Sequence, residues 1–215
     1  MRARGLPLLL TLLALSSAAG AHVVDEYLQA TLVVIEPADV RLKLYLTPGT
    51  DVAEQVLAII DRDRDGAIST DEATAYADLL KRDLLLRLDD RNVALKLTAS
   101  SFAAPDEIRT GDGIIKVEFS AVLGALPPGS HRLTLDNAHL PKIGVYLFNA
   151  AQPNSALIQV RGQTRNANQS RGEIEFTYDP PAAPRKPRGP ILLVAVVVLV
   201  ALFGGWRARR NSPRT

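Results

Sequence analysis

Residues 61–72 read DRDRDGAISTDE, and the structure predicted for this stretch leads to predictions for the segments on both sides of it. Carboxylate side chains stand at its first, third, fifth and twelfth positions, which are Asp61, Asp63, Asp65 and Glu72. Gly66 occupies the sixth position, where a sharp turn needs a backbone conformation that glycine adopts at little cost. The spacing therefore predicts a tight loop in which several oxygen atoms converge.

Oxygen atoms at this spacing are typical of a calcium loop of EF-hand type. Calcium takes about six to eight hard oxygen ligands, and such a loop supplies them from its alternate positions and its last residue. The predicted metal ligands are Asp61, Asp63, Asp65, the backbone carbonyl of Ala67, Ser69 (directly or through water) and Glu72, which would bind through both oxygens. The predicted cofactor is thus Ca2+. The alternative interpretation is a solvated acidic turn without a metal.

Helices are predicted on both sides of the loop. Before it, Asp51-Val-Ala-Glu54 has the pattern of a capping box, and apolar residues follow at helical spacing. After it, a segment that ends at about Arg82 carries apolar residues on one face, namely Tyr76, Leu79 and Leu80. The sequence thus predicts an EF-hand helix–loop–helix at about residues 51–82. No second loop with this spacing occurs in the sequence, so the helices are expected to pack on another part of the chain.

Most of the remaining sequence alternates between apolar and polar residues, which is the pattern of half-buried strands. In the first such segment, the alternating apolar residues are Leu28, Ala30, Leu32 and Val34. About eight short segments of this kind, separated by turns rich in Pro, Gly and Asp, predict a mainly β fold, an antiparallel β-sandwich. The helix–loop–helix is predicted to interrupt this sandwich between its second and third strands.

The N-terminal residues 1–21 have the features of a signal peptide. Two arginines precede an apolar run, and Ala19-Gly20-Ala21 has the small residues of a cleavage site. The predicted mature chain begins at His22, and residues 22–179 are predicted to form the exported domain. An uncleaved membrane anchor is the alternative for residues 1–21, although its apolar run is short for a membrane span.

A second apolar segment, residues 191–206, contains no charged residue and has basic residues on both sides. We predict a single transmembrane helix there, followed by a basic cytoplasmic tail at residues 207–215. Residues 180–190 read PPAAPRKPRGP, which predicts a semi-rigid stalk between the domain and the membrane. The predicted localisation is the cell membrane, with the main domain in the periplasm or the extracellular space. A processed surface-sorting signal is the alternative interpretation of the apolar segment.

The distribution of charge argues against a nucleic-acid partner. The whole chain has a formal net charge of +2, but its basic excess lies at the two ends. Residues 22–184 hold 16 basic and 23 acidic residues, so the predicted exported domain is acidic. The chain contains no cysteine, and the domain must therefore be stabilised by its core and by any metal that it binds.

Several segments together resemble bacterial exported, membrane-anchored EF-hand domain proteins. They are HVVDEYLQATLV at the predicted mature start, the loop DRDRDGAISTDE, and the late segments VYLFNA and QTRNANQSRGEIEFTY. The resemblance covers most of residues 22–178, and the domain is similar to the one that precedes some HupE/UreJ-like membrane proteins. It implies an exported location and a comparable fold. Those larger relatives carry a multi-span membrane part, whereas one membrane segment is predicted here, so a transport role is not implied.

The leading functional hypothesis is a calcium-binding, membrane-tethered protein of structural or binding type, with a membrane or periplasmic protein as a further partner. A second hypothesis is metal handling, either as an accessory to a metal transporter or through copper at His22. The α-amine and imidazole of an N-terminal histidine can chelate copper, but a further histidine is needed, and the other two are His131 and His139. No nucleophile elbow, phosphate-binding glycine loop or zinc-protease histidine pair occurs in the sequence, so no enzymatic activity is predicted.

Overall fold

The computed structural model describes residues 25–181. The predicted signal peptide, transmembrane helix and basic tail, together with most of the predicted stalk, lie outside this range. The described helices and strands follow in this order: β1 (Tyr27–Ile35), β2 (Asp39–Pro48), α1 (Thr50–Ile60), α2 (Thr70–Asp83), β3 (Leu84–Leu88), β4 (Arg91–Val93), β5 (Lys96–Ser101), α3 (Pro105–Arg109), β6 (Ile115–Val122), β7 (Gly129–Asn137), β8 (Gly144–Ala150), β9 (Ile158–Arg165) and β10 (Arg171–Tyr178).

The strands form two five-stranded sheets. The first sheet has the order β5-β6-β2-β1-β8, and the second has the order β4-β3-β7-β10-β9. All of the pairs are antiparallel except β1 with β8, which is parallel. One hydrophobic core contains side chains of both sheets. The prediction of a mainly β sandwich with a helical insertion after the second strand is confirmed at this level.

The face of β1 that enters the core is the opposite of the one that its alternation suggested. Leu28, Ala30 and Leu32 are only partly buried, whereas the intervening Gln29 and Thr31 are buried. Gln29 is accommodated because its Nε2 donates to the carbonyl oxygen of His139 at 2.8 Å. Burying a polar side chain costs little free energy when it has a hydrogen-bond partner. The pattern of apolar residues alone therefore indicated the wrong face.

The helices lie at one end of the sandwich, and the described chain leaves at the other end. Tyr27, which begins β1, pairs with Pro48 just before α1, and the first residue of β10, Arg171, pairs with Asp136 near the end of α2. β10 then runs away from this end and finishes at Tyr178. At about 3.3 Å per residue, its eight residues separate the two ends by roughly 25 Å. We call residues 50–83 and 105–112, which contain the three helices, the helical end.

A histidine holds the turn between β3 and β4 at the opposite end. Asp89 and Asp90 form this turn with positive φ angles of 47° and 64°. His131 is buried, and its Nδ1 lies 2.7 Å from Oδ2 of Asp89 while its Nε2 lies 2.8 Å from the carbonyl oxygen of Pro127. Because both neighbours are acceptors, the geometry favours the form of the ring in which both nitrogens are protonated and the charge is positive.

This arrangement shifts the pKa of His131. Burial by itself lowers the pKa, but the hydrogen bonds to Asp89 and Pro127 outweigh burial and raise the pKa above its ordinary value. A histidine whose pKa is higher in the folded than in the unfolded state stabilises the fold fully below the unfolded value. That contribution is lost as the pH rises through the folded pKa.

We therefore expect the free energy of unfolding to fall as the pH rises from the ordinary histidine pKa of about 6.5 into the alkaline range. His131→Asn, which cannot titrate, should show a smaller decrease over the same interval. Urea denaturation of the two proteins at a series of pH values measures both slopes. Equal slopes would show that the imidazole is not held as a cation.

Candidate metal centre in the helix–loop–helix

The first helix, α1, packs its apolar face inward and is joined to α3 at its surface. Five of its residues are buried, namely Val52, Ala53, Val56, Leu57 and Ile60. Nε of Arg109 on α3 donates to Oε1 of Glu54 at 2.7 Å. The predicted capping box at Asp51–Glu54 is wrong, because the N-cap of α1 is Gly49, two residues before Asp51, and it provides no side-chain cap. The N–H of Gly49 instead donates to the carbonyl oxygen of Glu26, so the helix starts directly from the end of β2.

The loop between α1 and α2 brings three carboxylates together. One oxygen from each of Asp61, Asp63 and Asp65 lies within 4.8 Å of the other two. Backbone N–H groups hold Asp61 in place. The N–H of Asp65 donates to Oδ1 of Asp61 at 3.2 Å, and the N–H of Gly66 donates to Oδ2 of Asp61 at 3.1 Å. Gly66 has a φ of +81°, as the predicted sharp turn requires. The first half of the loop thus directs three acidic side chains towards one point.

The second half of the loop is closed by a reciprocal cap on α2. Ser69 is the N-cap of this helix, and its hydroxyl accepts from the N–H of Glu72 at 3.3 Å. Glu72 Oε2 accepts from the N–H of Ser69 at 3.0 Å and from its hydroxyl at 2.8 Å. Oε1 of Glu72 accepts from the N–H of Arg62 at 2.7 Å, which joins the start of the loop to its end. The backbone and hydroxyl of Ser69, together with the N–H of Arg62, lower the pKa of Glu72 to about 2.

The structure therefore brings together three of the predicted ligands and gives two others a different contact. Asp61, Asp63 and Asp65 form the acidic cluster, of which Glu72 is not a member. Ser69 and Glu72 pair with each other as a capping box. The sequence carries the corresponding Ser-x-x-Glu pattern, but the prediction assigned both residues to the metal. That they also bind a metal remains a prediction, as it does for the carbonyl of Ala67.

The chemistry of the cluster suits a hard divalent cation. Carboxylate oxygens are the ligands that calcium and magnesium prefer. Asp61 is buried, whereas Asp63 and Asp65 are exposed, so the cluster is open to solvent on one side. Three like charges at this separation repel one another, and a bound cation would remove that repulsion.

A chain of buried hydrogen bonds, which we call the tyrosine–histidine chain, attaches α2 to the sandwich. The hydroxyls of Tyr27 and Tyr76 lie 2.5 Å apart, and the hydroxyl of Tyr76 lies 3.0 Å from Nε2 of His139. Nδ1 of His139 lies 2.7 Å from Oδ2 of Asp83. Tyr27 and His139 are completely buried, and Tyr76 is almost so. These residues come from β1, from α2 and from the connection between β7 and β8.

The protons in this chain have one consistent order. Burial lowers the pKa of His139 and outweighs its hydrogen bond to Asp83, so the ring is neutral near pH 7. Nδ1–H must donate to the carboxylate of Asp83, which leaves Nε2 to accept from Tyr76. The oxygen of Tyr76 then accepts from Tyr27. Each buried polar atom of the chain is satisfied, which fixes the position of α2 against β1.

The sequence patterns did not predict the tyrosine–histidine chain. Tyr27 follows Asp25-Glu26, a pattern that resembles the exposed start of a strand, and the residues that it contacts lie far away in the sequence.

The contacts of the histidines also bear on the copper hypothesis. Both ring nitrogens of His139 and both of His131 are engaged in hydrogen bonds within the domain. His22, at which that hypothesis places copper, lies outside the described residues.

Comparisons with known proteins identify no relative of this chain: no family model, curated protein or solved structure matches it. Among residues 25–181, no helix is both long enough and apolar enough to cross a membrane. The predicted transmembrane helix at residues 191–206 lies outside that range.

Removing one hydroxyl should show what the tyrosine–histidine chain contributes. We expect Tyr76→Phe to lower the free energy of unfolding by about 2 kcal/mol or more, because Nε2 of His139 and the hydroxyl of Tyr27 both lose their partner while buried. Urea denaturation near neutral pH measures the change.

Tyr146→Phe is the matched control. The hydroxyl of Tyr146 donates to the carbonyl oxygen of His139 at 2.9 Å, but this carbonyl also accepts from Gln29 and stays satisfied. We expect a loss of about 1 kcal/mol or less in this variant. A Tyr76→Phe protein no less stable than the control would show that the tyrosine–histidine chain does not contribute this stability.

Proposed function

We propose that this chain is a calcium-binding, membrane-tethered exported protein of structural or binding type, in which one EF-hand loop stabilises the main domain. The observation that carries the proposal is the convergence of Asp61, Asp63 and Asp65 in a loop that joins two helices. Their positions in the loop are those from which an EF-hand supplies its first three ligands. The positive φ of Gly66, midway along the loop, supports the same interpretation.

The amount of stabilisation follows from the affinity that such a loop has outside the cell. Extracellular calcium modules bind with dissociation constants of roughly 0.1–1 mM. At about 1 mM calcium and a dissociation constant of about 0.1 mM, binding adds about 1.4 kcal/mol to the free energy of unfolding. Calcium would therefore strengthen a domain that its core and hydrogen bonds already hold together.

The contacts of α2 explain how binding at the loop would reach the sandwich. The N-terminus of α2 is capped inside the loop by Ser69 and Glu72, and its later turns carry Tyr76 and Asp83 of the tyrosine–histidine chain. A single helix of 14 residues thus connects the end of the loop to β1 and to the connection between β7 and β8. A cation that fixes the start of this helix would also restrict its docking on the core.

Calcium should bind once, and removing a single cluster carboxylate should weaken binding. We expect Asp61→Asn and Asp63→Asn to raise the dissociation constant by about tenfold or more, because each loses a charged ligand. Glu72→Gln should weaken binding most, since a bidentate carboxylate becomes a neutral amide, and Ser69→Ala should weaken it least. Isothermal titration calorimetry measures all four, with Asp71→Asn as the control, because Asp71 lies in the same loop but is not a predicted ligand.

Thermal unfolding with and without calcium distinguishes the stability that comes from metal binding from the stability that comes from the helix cap. Glu72→Gln also disturbs the capping box, so its stability should fall even without calcium. Asp63 is exposed, and within residues 25–181 its carboxylate accepts only from the N–H of Asp65, at 3.2 Å, so Asp63→Asn should lose chiefly the increment that calcium adds. Absence of calcium binding by the unaltered protein up to about 10 mM would overturn the proposal, since this concentration is about ten times the highest expected dissociation constant.

The tether in this proposal consists of residues 180–190 as a stalk and residues 191–206 as a single membrane span. Sixteen residues without a charge, with arginines on both sides, support it. A reporter protein fused after Thr215 should be active only if it functions in the cytoplasm. Activity of a reporter that requires export would favour a processed sorting signal and overturn the tether, while leaving the calcium site untouched.

A further inference from the structure

A groove of about 520 Å³ lies beside the candidate calcium loop. One wall is the second half of the loop with the first turns of α2, residues 66–70 and 73–74, and the other is residues 100–105, which connect β5 to α3. Every residue that lines the groove is uncharged. Ile68, Phe102 and Ala103 are partly buried against the core and supply its apolar surface.

The wall formed by residues 100–105 continues a strand with an open edge. Within residues 25–181, β5 lies at the edge of its sheet and pairs only with β6. Its residues from Thr98 to Ser101 are exposed, and a bulge falls between Leu97 and Ala99. Backbone N–H and C=O groups at such an edge can pair with a further strand, so an extended polypeptide is the ligand whose shape and hydrogen bonds fit here.

The charge around the groove indicates the charge of the polypeptide that would bind there. The helical end, as defined above, holds twelve acidic and five basic residues, whereas the rest of residues 25–181 holds eleven of each. The net negative charge of the described domain therefore arises from this end, next to the groove. One bound calcium ion would remove only two of these charges. An extended segment that carries basic residues is complementary to this surface.

We propose that the groove binds an extended, basic segment of a partner protein, which adds to the open edge of β5 and places its smaller side chains on Ile68 and Phe102. The inference deepens the proposed function and rests on it, because the candidate calcium loop forms one wall. It names the partner by its chemistry: a polypeptide in which Lys or Arg alternates with apolar residues, as the two faces of a strand require.

The groove lies at the helical end, and β10 ends at Tyr178, roughly 25 Å away at the opposite end of the sandwich. The end of the described chain is therefore separate from the groove.

A labelled peptide tests the proposal on the full chain, purified in detergent with its C-terminal segment. The probe is the capped octapeptide Lys-Val-Lys-Val-Lys-Val-Lys-Val with a fluorescein label, and Glu-Val repeats of the same length are the negative control. Fluorescence anisotropy measures binding to the unaltered protein and to three variants. Thr74→Arg and Ser101→Arg place a cation in opposite walls of the groove, and Ala58→Arg adds the same cation on the exposed face of α1, outside it.

We expect the Lys-Val peptide to bind the unaltered protein and the Glu-Val peptide not to bind. Each groove variant should weaken binding by about tenfold or more, because the added cation blocks the groove and repels the peptide, whereas Ala58→Arg should weaken it by less than about threefold. Equal weakening by all three variants would show general attraction to the acidic end and overturn the groove. Absence of binding to the unaltered protein would overturn it as well.

Calcium titration of the same samples distinguishes this proposal from the proposed function. Calcium binding without peptide binding would overturn the groove alone. Peptide binding that both groove variants weaken, in a protein that binds no calcium, would support the groove and overturn the calcium site. Circular dichroism of each variant identifies a folding failure, and since the two groove variants alter different walls, either one that folds decides the outcome.

Discussion

The hydrogen bond between Tyr76 and His139 is the contact on which the position of the helical insertion depends. α2 begins at the end of the acidic loop and must dock on a sandwich whose strands come from both halves of the chain. At Tyr76 it meets β1 through Tyr27, and at Asp83 it meets the connection between β7 and β8 through His139. A helix held only by apolar contacts could slide or rotate on the core, whereas directed bonds between buried polar groups specify one position.

Glu72 serves two requirements that favour different contacts. As a cap it satisfies backbone N–H groups of Ser69 and Arg62, and as a predicted ligand it would give its oxygens to calcium. The ionised carboxylate suits both, and its lowered pKa keeps it ionised. The three aspartates have no comparable helix-capping role, so they are the better indicators of metal binding. The loop thus combines a second half that caps a helix with a first half in which three carboxylates converge.

The helix–loop–helix could be predicted from the sequence to within one residue at its outer ends, because loop chemistry and helical spacing are local. The face of β1 could not be predicted, since the buried amide of Gln29 is satisfied by His139 and Asn137, which are distant in sequence. Similarly, nothing near Tyr27 or His139 indicates their shared contact with Tyr76. The acidic cluster at Asp61 and its neighbours was predictable, whereas the use of Ser69 and Glu72 as a cap depended on which of two patterns prevailed.

The parallel pairing of β1 with β8 determines when the first sheet can become complete during synthesis. Tyr27, near the start of the chain, pairs with Gly144, and Val33 pairs with Ala150. While the intervening residues are still being made, β1 has β2 on one side and an unpaired edge on the other. Contacts over such long sequence separations form slowly. The chain therefore has to remain free of misassociation until residue 150 has arrived, and factors that shield the edge of β1 would raise its yield.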